Sequence, residues 1–528
     1  MNSPIRRRLG VAAVIVGLFV AGWALGWTGA VARDRYEHVD LFVEVLSRVE
    51  QFYVDPVEPK KLVNGAVEGM LRRLDPFSNY LDEKALNSLT AATQGEFGGL
   101  GIVVSIRDGW PTVISVLQGT PAFGLGIQPG DLITEVDGKT TRALAIDEVV
   151  SRLRGEPGTS VKVEIRREGE REPHDYTITR EIIKVESVPY TMLFPGGVGY
   201  VRLQTFSATS GADVRRAVAG LEKDGAKSLI LDLRNNPGGL LTEAVDVGEV
   251  FLPKGAVVVE TRGRIKSANQ TFLAEGSQPI LSQPLIVLVD EYSASASEIV
   301  AGAIQDHDRG LVVGEPTFGK GSVQSVFSIP GQKAALKLTT AKYYTPSGRS
   351  IHKDVFNAGR GPHGETDEEA AGADSVPAAP DSAAKPAFKT DAGRTVYGGG
   401  GITPDIVMRP DTLTNPALEI ENRNLFFKYA VKRLPKAAPG AEITVTPETW
   451  QDFAAFLREE KLATTPDSLA AQRAYVESGI RREAARRSGG EAAAFRAAAG
   501  EDQVLQKALE LLRKTRGARD LLKLSMLH

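Results

Sequence analysis

A serine-rich turn is the segment of this chain whose residue types could carry out nucleophilic chemistry. The turn, Ser293 to Glu298, follows an apolar run from Pro284 to Val289 that predicts a buried strand, and the next residues, Ile299 to Ile304, have helical spacing. The serines therefore lie near a helix N-terminus, where unpaired backbone N–H groups favour developing negative charge. The spacing alone leaves three candidates for the nucleophile, namely Ser293, Ser295 and Ser297.

Lys320 is the predicted general base, since a serine hydroxyl is a weak nucleophile until a neighbouring base takes its proton. A lysine accepts a proton only when it is neutral, which requires partial desolvation, and Phe318 and Val323 could supply apolar surroundings. Gln324 would face the same side as Lys320, so its amide could hold the amine in place. Six histidines lack an evident orienting partner in the sequence: His38, His174, His307, His352, His363 and His528.

Each of these segments also has an ordinary structural interpretation. A Ser/Ala-rich turn before a helix is typical of an N-cap, and an isolated lysine is typical of a protein surface. The residues from Gly314 to Lys320 match the start of a phosphate-binding loop, but that motif requires Ser or Thr next and then a helix. Here Gly321 follows, and Gln324 to Ile329 alternates like a strand, so nucleotide binding is not favoured.

A second turn could provide an oxyanion hole. The apolar run from Ser228 to Arg234 predicts a buried strand, and Asn235 to Gly239 follow it before a helical pattern from Leu240 to Val250. Two glycines between a strand and a helix let bare N–H groups approach a substrate carbonyl. An ordinary strand-to-helix turn has the same composition.

Taken in order, two segments resemble the C-terminal processing peptidases, also called tail-specific proteases. They are Ser-Ala-Ser-Ala-Ser-Glu from Ser293 and Gly-Glu-Pro-Thr-Phe-Gly-Lys-Gly-Ser-Val-Gln from Gly314. The resemblance implies a serine endopeptidase with a Ser/Lys dyad that needs no metal or cofactor. It assigns the nucleophile to Ser295, the base to Lys320 and the lysine-orienting amide to Gln324.

The same resemblance implies an oxyanion hole made by the backbone N–H groups of Gly238 and Ala296. The choice of Gly238 over Gly239 is arbitrary at this point. From Gly197 onward strands and helices alternate, which predicts an α/β domain. The implied fold class is α+β and multidomain, with a PDZ domain joined to an α/β catalytic core like that of ClpP and crotonase, and with helical regions at both ends.

Residues from about Gln94 to Ile183 read as short strands with glycine turns, and their order resembles a PDZ domain. Such a domain would bind a C-terminal carboxylate and add the peptide as a strand. The family resemblance implies that an arginine of this domain holds the active state, and Arg154, after the predicted helix, is the candidate for that contact, although a solvent-facing arginine is the alternative. The N–H groups expected to bind the carboxylate are those of Leu100, Gly101 and Ile102.

Three arginines, Arg6 to Arg8, precede an uncharged segment from Leu9 to Ala32, which at about 24 residues could span a bilayer. Arginines favour the cytoplasmic side, and Ala30 to Ala32 resembles a signal-peptidase site. We expect a cell-envelope protein on the periplasmic or extracytoplasmic side, anchored in the inner membrane or secreted after cleavage. The chain has no cysteine, which excludes disulfides and thiolate metal sites, and its net charge of −3 does not favour nucleic-acid binding.

The chain of 528 residues is long enough for about three to four domains. An apolar stripe near its end, Leu505, Leu509 and Leu512, is expected to pack on the catalytic domain or to form a dimer contact, and Arg349 is expected in solvent. The predicted segments are a signal anchor or signal peptide (1–34), an N-terminal helical region (35–92), a PDZ domain (93–184), a peptidase core (185–353), a disordered insertion (354–397), a return to the core (398–410) and a C-terminal helical region (411–528).

The predicted function is an exported endopeptidase that cleaves proteins near apolar C-termini and captures their tails with its PDZ domain. Its expected partners are protein substrates and the membrane, with an adaptor protein and a homo-oligomer left open, and nucleic acid is not among them. Two other classes remain as alternatives. One is a non-catalytic PDZ tail-binding protein with an inactive peptidase fold, and the other is a different Ser/Lys amidohydrolase.

Overall fold

The computed structural model describes residues 38–276, 283–353, 385–409, 413, 415–435, 438, 443–515 and 517–524. The chain divides into two compact units, one ending at Tyr80 and one beginning at Leu81. The first unit contains helices α1 (38–52) and α2 (Pro59–Arg72), and the short strand β1 (Asn79–Leu81) lies at the division. No helix in these described ranges is long and apolar enough to cross a membrane, and the predicted anchor lies outside them.

The second unit begins with α3 and the domain predicted as PDZ. Strands β3, β4, β5, β7 and β8 lie side by side in that order, β6 pairs with β5, and β2 pairs with β9 where the chain enters and leaves the domain. Apolar residues of these strands and of α5 form one core. The elements are α3 (Glu83–Gln94), β2 (Glu96–Gly99), β3 (Ile102–Arg107), β4 (Trp110–Val116), α4 (Pro121–Gly124), β5 (Leu132–Val136), β6 (Lys139–Thr140), α5 (Ile146–Leu153), β7 (Ser160–Arg166), β8 (His174–Thr179) and β9 (Glu181–Lys184).

The α/β domain predicted as the peptidase core follows. In chain order its elements are β10 (Thr191–Phe194), β11 (Val198–Arg202), α6 (Ser210–Lys223), β12 (Ser228–Asp232), α7 (Leu241–Glu249), β13 (Val257–Gly263), β14 (Gln270–Leu273), β15 (Leu285–Val289), α8 (Ala296–Asp306), β16 (Leu311–Gly314), β17 (Ser322–Ser328), β18 (Ala335–Tyr344), β19 (Ala387–Lys389), β20 (Thr395–Tyr397) and β21 (Ile406–Val407).

The central sheet of this domain has the strand order β10-β11-β12-β15-β16-β21 and is parallel from β11 onward. Its middle strands β12 and β15 are buried along their whole length, as expected for parallel strands covered on both faces. Helices α6, α7 and α8 contribute to the core on one face. Because β12 and β15 are parallel neighbours, the turns after them meet at the same edge of the sheet.

A second, antiparallel sheet holds the lysine segment. Its strands β17, β18, β13 and β14 lie side by side in that order. Lys320 lies two positions before the first residue of β17, and Gln324 lies within that strand. The strand predicted from the alternation after Gln324 is therefore confirmed.

Strands β19 and β20 form a hairpin, so the prediction of disorder up to residue 397 is wrong for its final part. Residues 354–384 lie outside the described ranges. The hairpin is ordered because Arg394 between its strands donates to the carboxylates of Asp308 and Asp405. Arg349, expected in solvent, is instead fully buried, where it donates to Asp306 at 2.7 Å and to the Tyr397 carbonyl at 3.0 Å.

The described part of the C-terminal helical region contains seven helices, which are α9 (Ala417–Asn422), α10 (Leu425–Lys432), α11 (Pro447–Glu459), α12 (Pro466–Ala470), α13 (Arg473–Ala498), α14 (Gln503–Lys514) and α15 (Ala518–Leu524). Residues of α9 to α13 form a core of their own, and α13 loses helical geometry at Gly489 and Gly490. The predicted stripe of Leu505, Leu509 and Leu512 on α14 packs against the second face of the central sheet, which confirms that this region covers the catalytic domain.

Candidate active site

Ser295 lies on a strained turn between β15 and α8. Its backbone has φ +57° and ψ −114°, values that a residue with a side chain adopts only when its surroundings hold it. Neighbouring backbone supplies that support, since the Ala294 N–H donates to the Asn236 carbonyl at 3.0 Å. The turn therefore presents the Ser295 side chain at the carboxyl edge of the sheet.

The three serines of the turn have different surroundings. Ser293 and Ser297 are fully buried, and their hydroxyl groups donate to the carbonyls of Leu233 at 2.8 Å and Asn236 at 2.9 Å. Ser295 remains partly exposed. Two hydroxyl groups thus hold the turn together, and the third is partly exposed, while the assignment of the nucleophile to Ser295 stays a prediction.

Glu298 joins the serine turn to the lysine segment. Its fully buried carboxylate accepts from the backbone N–H groups of Ser295 at 2.8 Å, Gly319 at 2.7 Å and Lys320 at 2.9 Å, and from the Thr317 hydroxyl. Burial raises the pKa of Glu298, and the four donated bonds oppose that rise. The same oxygen, Oε2, accepts from both Ser295 and Lys320, so one carboxylate fixes the two backbones next to each other.

Tyr343, near the end of β18, contacts the lysine segment. Its N–H donates to the Gly321 carbonyl at 3.1 Å, and its hydroxyl group donates to the Lys320 carbonyl. Burial raises the pKa of Tyr343 well above its usual value, with the charge of Glu298 adding to the effect.

Sequence reasoning missed both of these residues. Glu298 had a signal, because an acid three residues after a helix N-cap is the pattern of a capping box. Tyr343 had none, because a tyrosine in an alternating strand is typical of packing. Only the ladder between β17 and β18 brings Tyr343 to the lysine segment.

The predicted base and its orienting amide lie where the lysine segment enters β17. Lys320, Phe318 and Val323 are all partly buried, and the apolar surroundings expected for the Lys320 amine stay a prediction. The Gln324 side-chain nitrogen donates to the Ser322 hydroxyl at 3.0 Å and to the Thr339 hydroxyl at 3.3 Å. Its role in orienting the Lys320 amine stays a prediction.

The predicted oxyanion hole adjoins Ser295. A methyl group added to Gly238, which has φ +94°, would lie 2.8 Å from the Ala296 nitrogen, so these two residues are neighbours. The Gly238 N–H, however, donates to the Asn236 side-chain oxygen at 2.9 Å. The N–H groups of Gly239 and Ala296 have no acceptor among the described residues. An oxyanion would therefore meet Ala296 directly and would have to displace Asn236 to reach Gly238.

The predicted carboxylate-binding loop of the PDZ domain has the required backbone arrangement. The carbonyls of Leu100 and Gly101 accept from Ala122 at 3.0 Å and Leu117 at 2.9 Å, whereas the two N–H groups meet no acceptor in the described part of the chain. Gly101 has φ +80°, and a side chain there would collide with Thr120. Binding of a peptide tail by this loop stays a prediction.

Ile102 and Arg154 are the other two residues predicted to act in the PDZ domain. Ile102 begins β3, opposite Val116 of β4, and is partly exposed. The Arg154 guanidinium lies 4.0 Å from the centre of the Phe97 ring, and burial lowers its pKa. Arg154 is thus stacked on β2, where the chain enters the PDZ domain, rather than extended into solvent. Within the described ranges, no cluster of His, Asp or Glu side chains could hold a metal ion.

Comparison with protein families gives three matches along this chain. The pattern of peptidase family S41 matches residues 197–359, that of the PDZ domain matches residues 112–167, and that of the activating protease CtpB N-terminal domain matches residues 29–85. The first two matches lie on the central α/β domain and on the domain of β3 to β8, so the PDZ and peptidase assignments agree with the fold.

Three curated relatives are similar to this chain over most of their own length. The carboxy-terminal-processing protease of Bartonella bacilliformis is 42% identical over 323 residues, which are 60% of this chain and 74% of that protein. The carboxyl-terminal-processing protease of Synechocystis sp. is 39% identical, over 58% of this chain and 72% of that protein. The carboxy-terminal processing protease CtpA of Bacillus subtilis is 34% identical, over 65% of this chain and 73% of that protein.

Among solved structures, the photosystem II D1 C-terminal processing protease is similar at 27% identity and a TM-score of 0.37, covering 72% of this chain and 95% of that one. The PDZ domain of the carboxy-terminal protease from Vibrio cholerae, solved with a peptide, is similar at 28% identity and a TM-score of 0.16. It covers 17% of this chain and 99% of that one.

Proposed function

Because the chain belongs to the carboxy-terminal processing proteases of peptidase family S41, we propose that its serine protease activity uses Ser295 as nucleophile and Lys320 as general base. The observation that carries this proposal is the Glu298 carboxylate, whose Oε2 accepts from the backbone N–H groups of both residues. Two residues that are 25 positions apart in the chain are thereby fixed beside each other around one buried carboxylate.

The proposed reaction proceeds through an acyl-enzyme. Ser295 Oγ attacks the scissile carbonyl carbon while the neutral Lys320 amine takes its proton, and the resulting oxyanion accepts from the Ala296 N–H. Lys320 then returns the proton to the leaving amine as the peptide C–N bond breaks. Water attacks the ester with Lys320 again as base, which releases the new carboxyl terminus and restores Ser295.

The PDZ domain is proposed to select the substrate by its tail. The open N–H groups of Leu100 and Gly101 suit a terminal carboxylate, and β3 suits pairing with an extended peptide. A substrate held there by its apolar C-terminus would present to Ser295 a segment that precedes the bound tail. This accounts for an endopeptidase that acts near C-termini rather than on small amides.

Replacement of the dyad tests the mechanism. Ser295→Ala and Lys320→Ala should each lower kcat for an unfolded, tail-bearing protein by about 10³-fold or more, without loss of the folded state. Lys342→Ala, an exposed lysine on β18, is the matched control and should keep normal activity. A serine-directed probe should label the wild type and fail on Ser295→Ala. Near-normal cleavage by Lys320→Ala would contradict the assignment of the base.

Export and membrane anchoring are proposed from the N-terminal segment. Arg6 to Arg8 followed by the uncharged residues up to Ala32 support a segment that crosses the membrane with its arginines inside. Fractionation of cells that express the full chain should place it in the envelope, and deletion of residues 1–34 should leave it inside the cell. Recovery of the full chain in the cytoplasm would contradict this proposal.

A further inference from the structure

Tyr343 contacts the segment that carries the proposed base, Lys320, yet the mechanism above gives it no task. It is 2% exposed and belongs to the apolar core that also contains Ile299 and Val300 of α8. The β18–β13 ladder, in which Tyr343 pairs with Thr261, fixes its backbone. The ring is therefore held from the side away from the active site, and its hydroxyl group points to the lysine segment.

The hydrogen bonds of this hydroxyl are limited by its chemistry. A phenol has one proton to donate, and that proton goes to the Lys320 carbonyl. Burial and the neighbouring Glu298 charge keep the phenol neutral by raising its pKa, so the donated proton is present at any pH at which the enzyme works.

We propose that Tyr343 is a positioning residue of the protease, whose hydroxyl group donates to the Lys320 carbonyl and so holds the backbone of the proposed base in register with the serine turn. Its backbone N–H, which donates to the Gly321 carbonyl at 3.1 Å, holds the next residue of the same segment. Glu298 and Tyr343 then hold the two peptide groups on either side of the Lys320 Cα, because Glu298 accepts from the Lys320 N–H and Tyr343 donates to the Lys320 carbonyl. The inference rests on the proposed Ser295/Lys320 dyad.

Tyr343→Phe removes the hydroxyl group and keeps the ring that fills the core. We expect kcat to fall about tenfold to hundredfold, because a small misplacement of a catalytic group has effects of that size. KM and the unfolding temperature should stay near the wild-type values. Tyr344→Phe is the matched control, since Tyr344 lies next in β18 and its ring instead stacks on Arg262 at 4.3 Å.

The pH dependence of kcat/KM distinguishes positioning from proton transfer. If Tyr343 acts by placement, the Tyr343→Phe profile keeps the wild-type shape at a lower level. Wild-type kcat in Tyr343→Phe, an effect on KM alone, or a profile of changed shape would each overturn the proposal. Failure of the dyad itself would appear separately, as activity retained by Lys320→Ala, whatever the result for Tyr343→Phe.

Discussion

Glu298 is the residue on which the proposed site most depends. A carboxylate that accepts four hydrogen bonds in a fully buried place has no substitute of the same shape, since an amide would turn an N–H₂ group towards two of the donors. Hydrogen bonds to a buried charged group are also among the strongest single contacts in a protein.

Glu298→Gln should therefore lower both kcat and stability. We expect kcat to fall at least about tenfold, and the free energy of unfolding to fall by about 2–3 kcal/mol, because buried donors lose their acceptor. Peptide cleavage at saturating substrate and urea denaturation measure the two effects. The matched control is Glu291→Gln, an exposed acid before the same turn, which should change neither. Unaltered kcat in Glu298→Gln would refute the bridging role.

At the scale of elements, the parallel pairing of β12 with β15 places the glycine turn beside the serine turn. Asp232 at the end of β12 anchors the first of these turns. Its buried carboxylate accepts from Tyr200 at 2.7 Å, Arg234 at 2.6 Å and Arg202 at 3.2 Å. Arg234 pairs in turn with Asp502 at 2.8 Å, just before α14. Helix α14 is thus connected to β12, the strand that leads into the glycine turn.

This network predicts an acid-sensitive fold. Burial alone would raise the pKa of Asp232, but Arg234 and Arg202 together lower it to about 2, from 3.8. A lowered pKa in the folded state contributes stability above pH 3.8, and that contribution is lost as pH falls towards 2. The loss amounts to about 2 kcal/mol.

Urea unfolding of the wild type at a series of pH values should show this loss, and Asp232→Asn should show a flatter dependence on pH from a lower starting stability. Asp224→Asn, an exposed acid after α6, should keep the wild-type dependence. If the free energy of unfolding depended equally on pH in the wild type and in Asp232→Asn, the proposed contribution of the Asp232 network to stability would be contradicted.

At the scale of the whole molecule, the C-terminal helical region contacts the PDZ domain as well as the central sheet. The Arg107 guanidinium lies 3.9 Å from the centre of the Phe427 ring, and the Lys428 amine lies 2.9 Å from the Asp108 carboxylate. An adjoining cavity of about 370 Å³ is lined by charged side chains, including Glu483. Such a contact is small and polar, so it should open more readily than a domain core.

Arg107→Met should loosen this contact, since it removes the guanidinium and keeps an unbranched side chain over Phe427. The loss of a cation–π contact of about 1 kcal/mol should raise amide hydrogen exchange in α10 about fivefold. Arg166→Met, at an exposed arginine of β7, serves as the control and should leave exchange in α10 unchanged. Identical amide hydrogen exchange in the wild type, Arg107→Met and Arg166→Met would show that this contact does not stabilise α10.

Tail binding by the PDZ domain allows a second test at this scale. If the tail also opens the active site, a free tail peptide should raise cleavage of a second, tailless substrate through a shift of a closed-to-open equilibrium. Arg154→Ala, which removes the stacking on Phe97, should then lower cleavage of both substrates without weakening tail binding. Competition by the free peptide, together with full activity of Arg154→Ala, would leave substrate capture as the sole task of the domain.

Much of this protein was determined by the sequence itself. Strands β12 and β15 were predictable because continuous apolar runs bury themselves on both faces, and the Leu505 stripe was predictable because its spacing is helical. The Ser295 and Lys320 segments were recognisable because the family's chemistry needs those residue types in that order. Each of these signals lies within a short stretch of chain.

Only the tertiary structure decided what depends on contacts between distant stretches. It buried Ser293 and Ser297 and left Ser295 accessible, and it buried Arg349 against Asp306 although the sequence indicated a solvated turn. It also brought Tyr343 to the lysine segment. Burial and hydrogen-bond partners arise when separate strands and helices pack, so the same local residue pattern is compatible with an exposed or a buried side chain until those neighbours are in place.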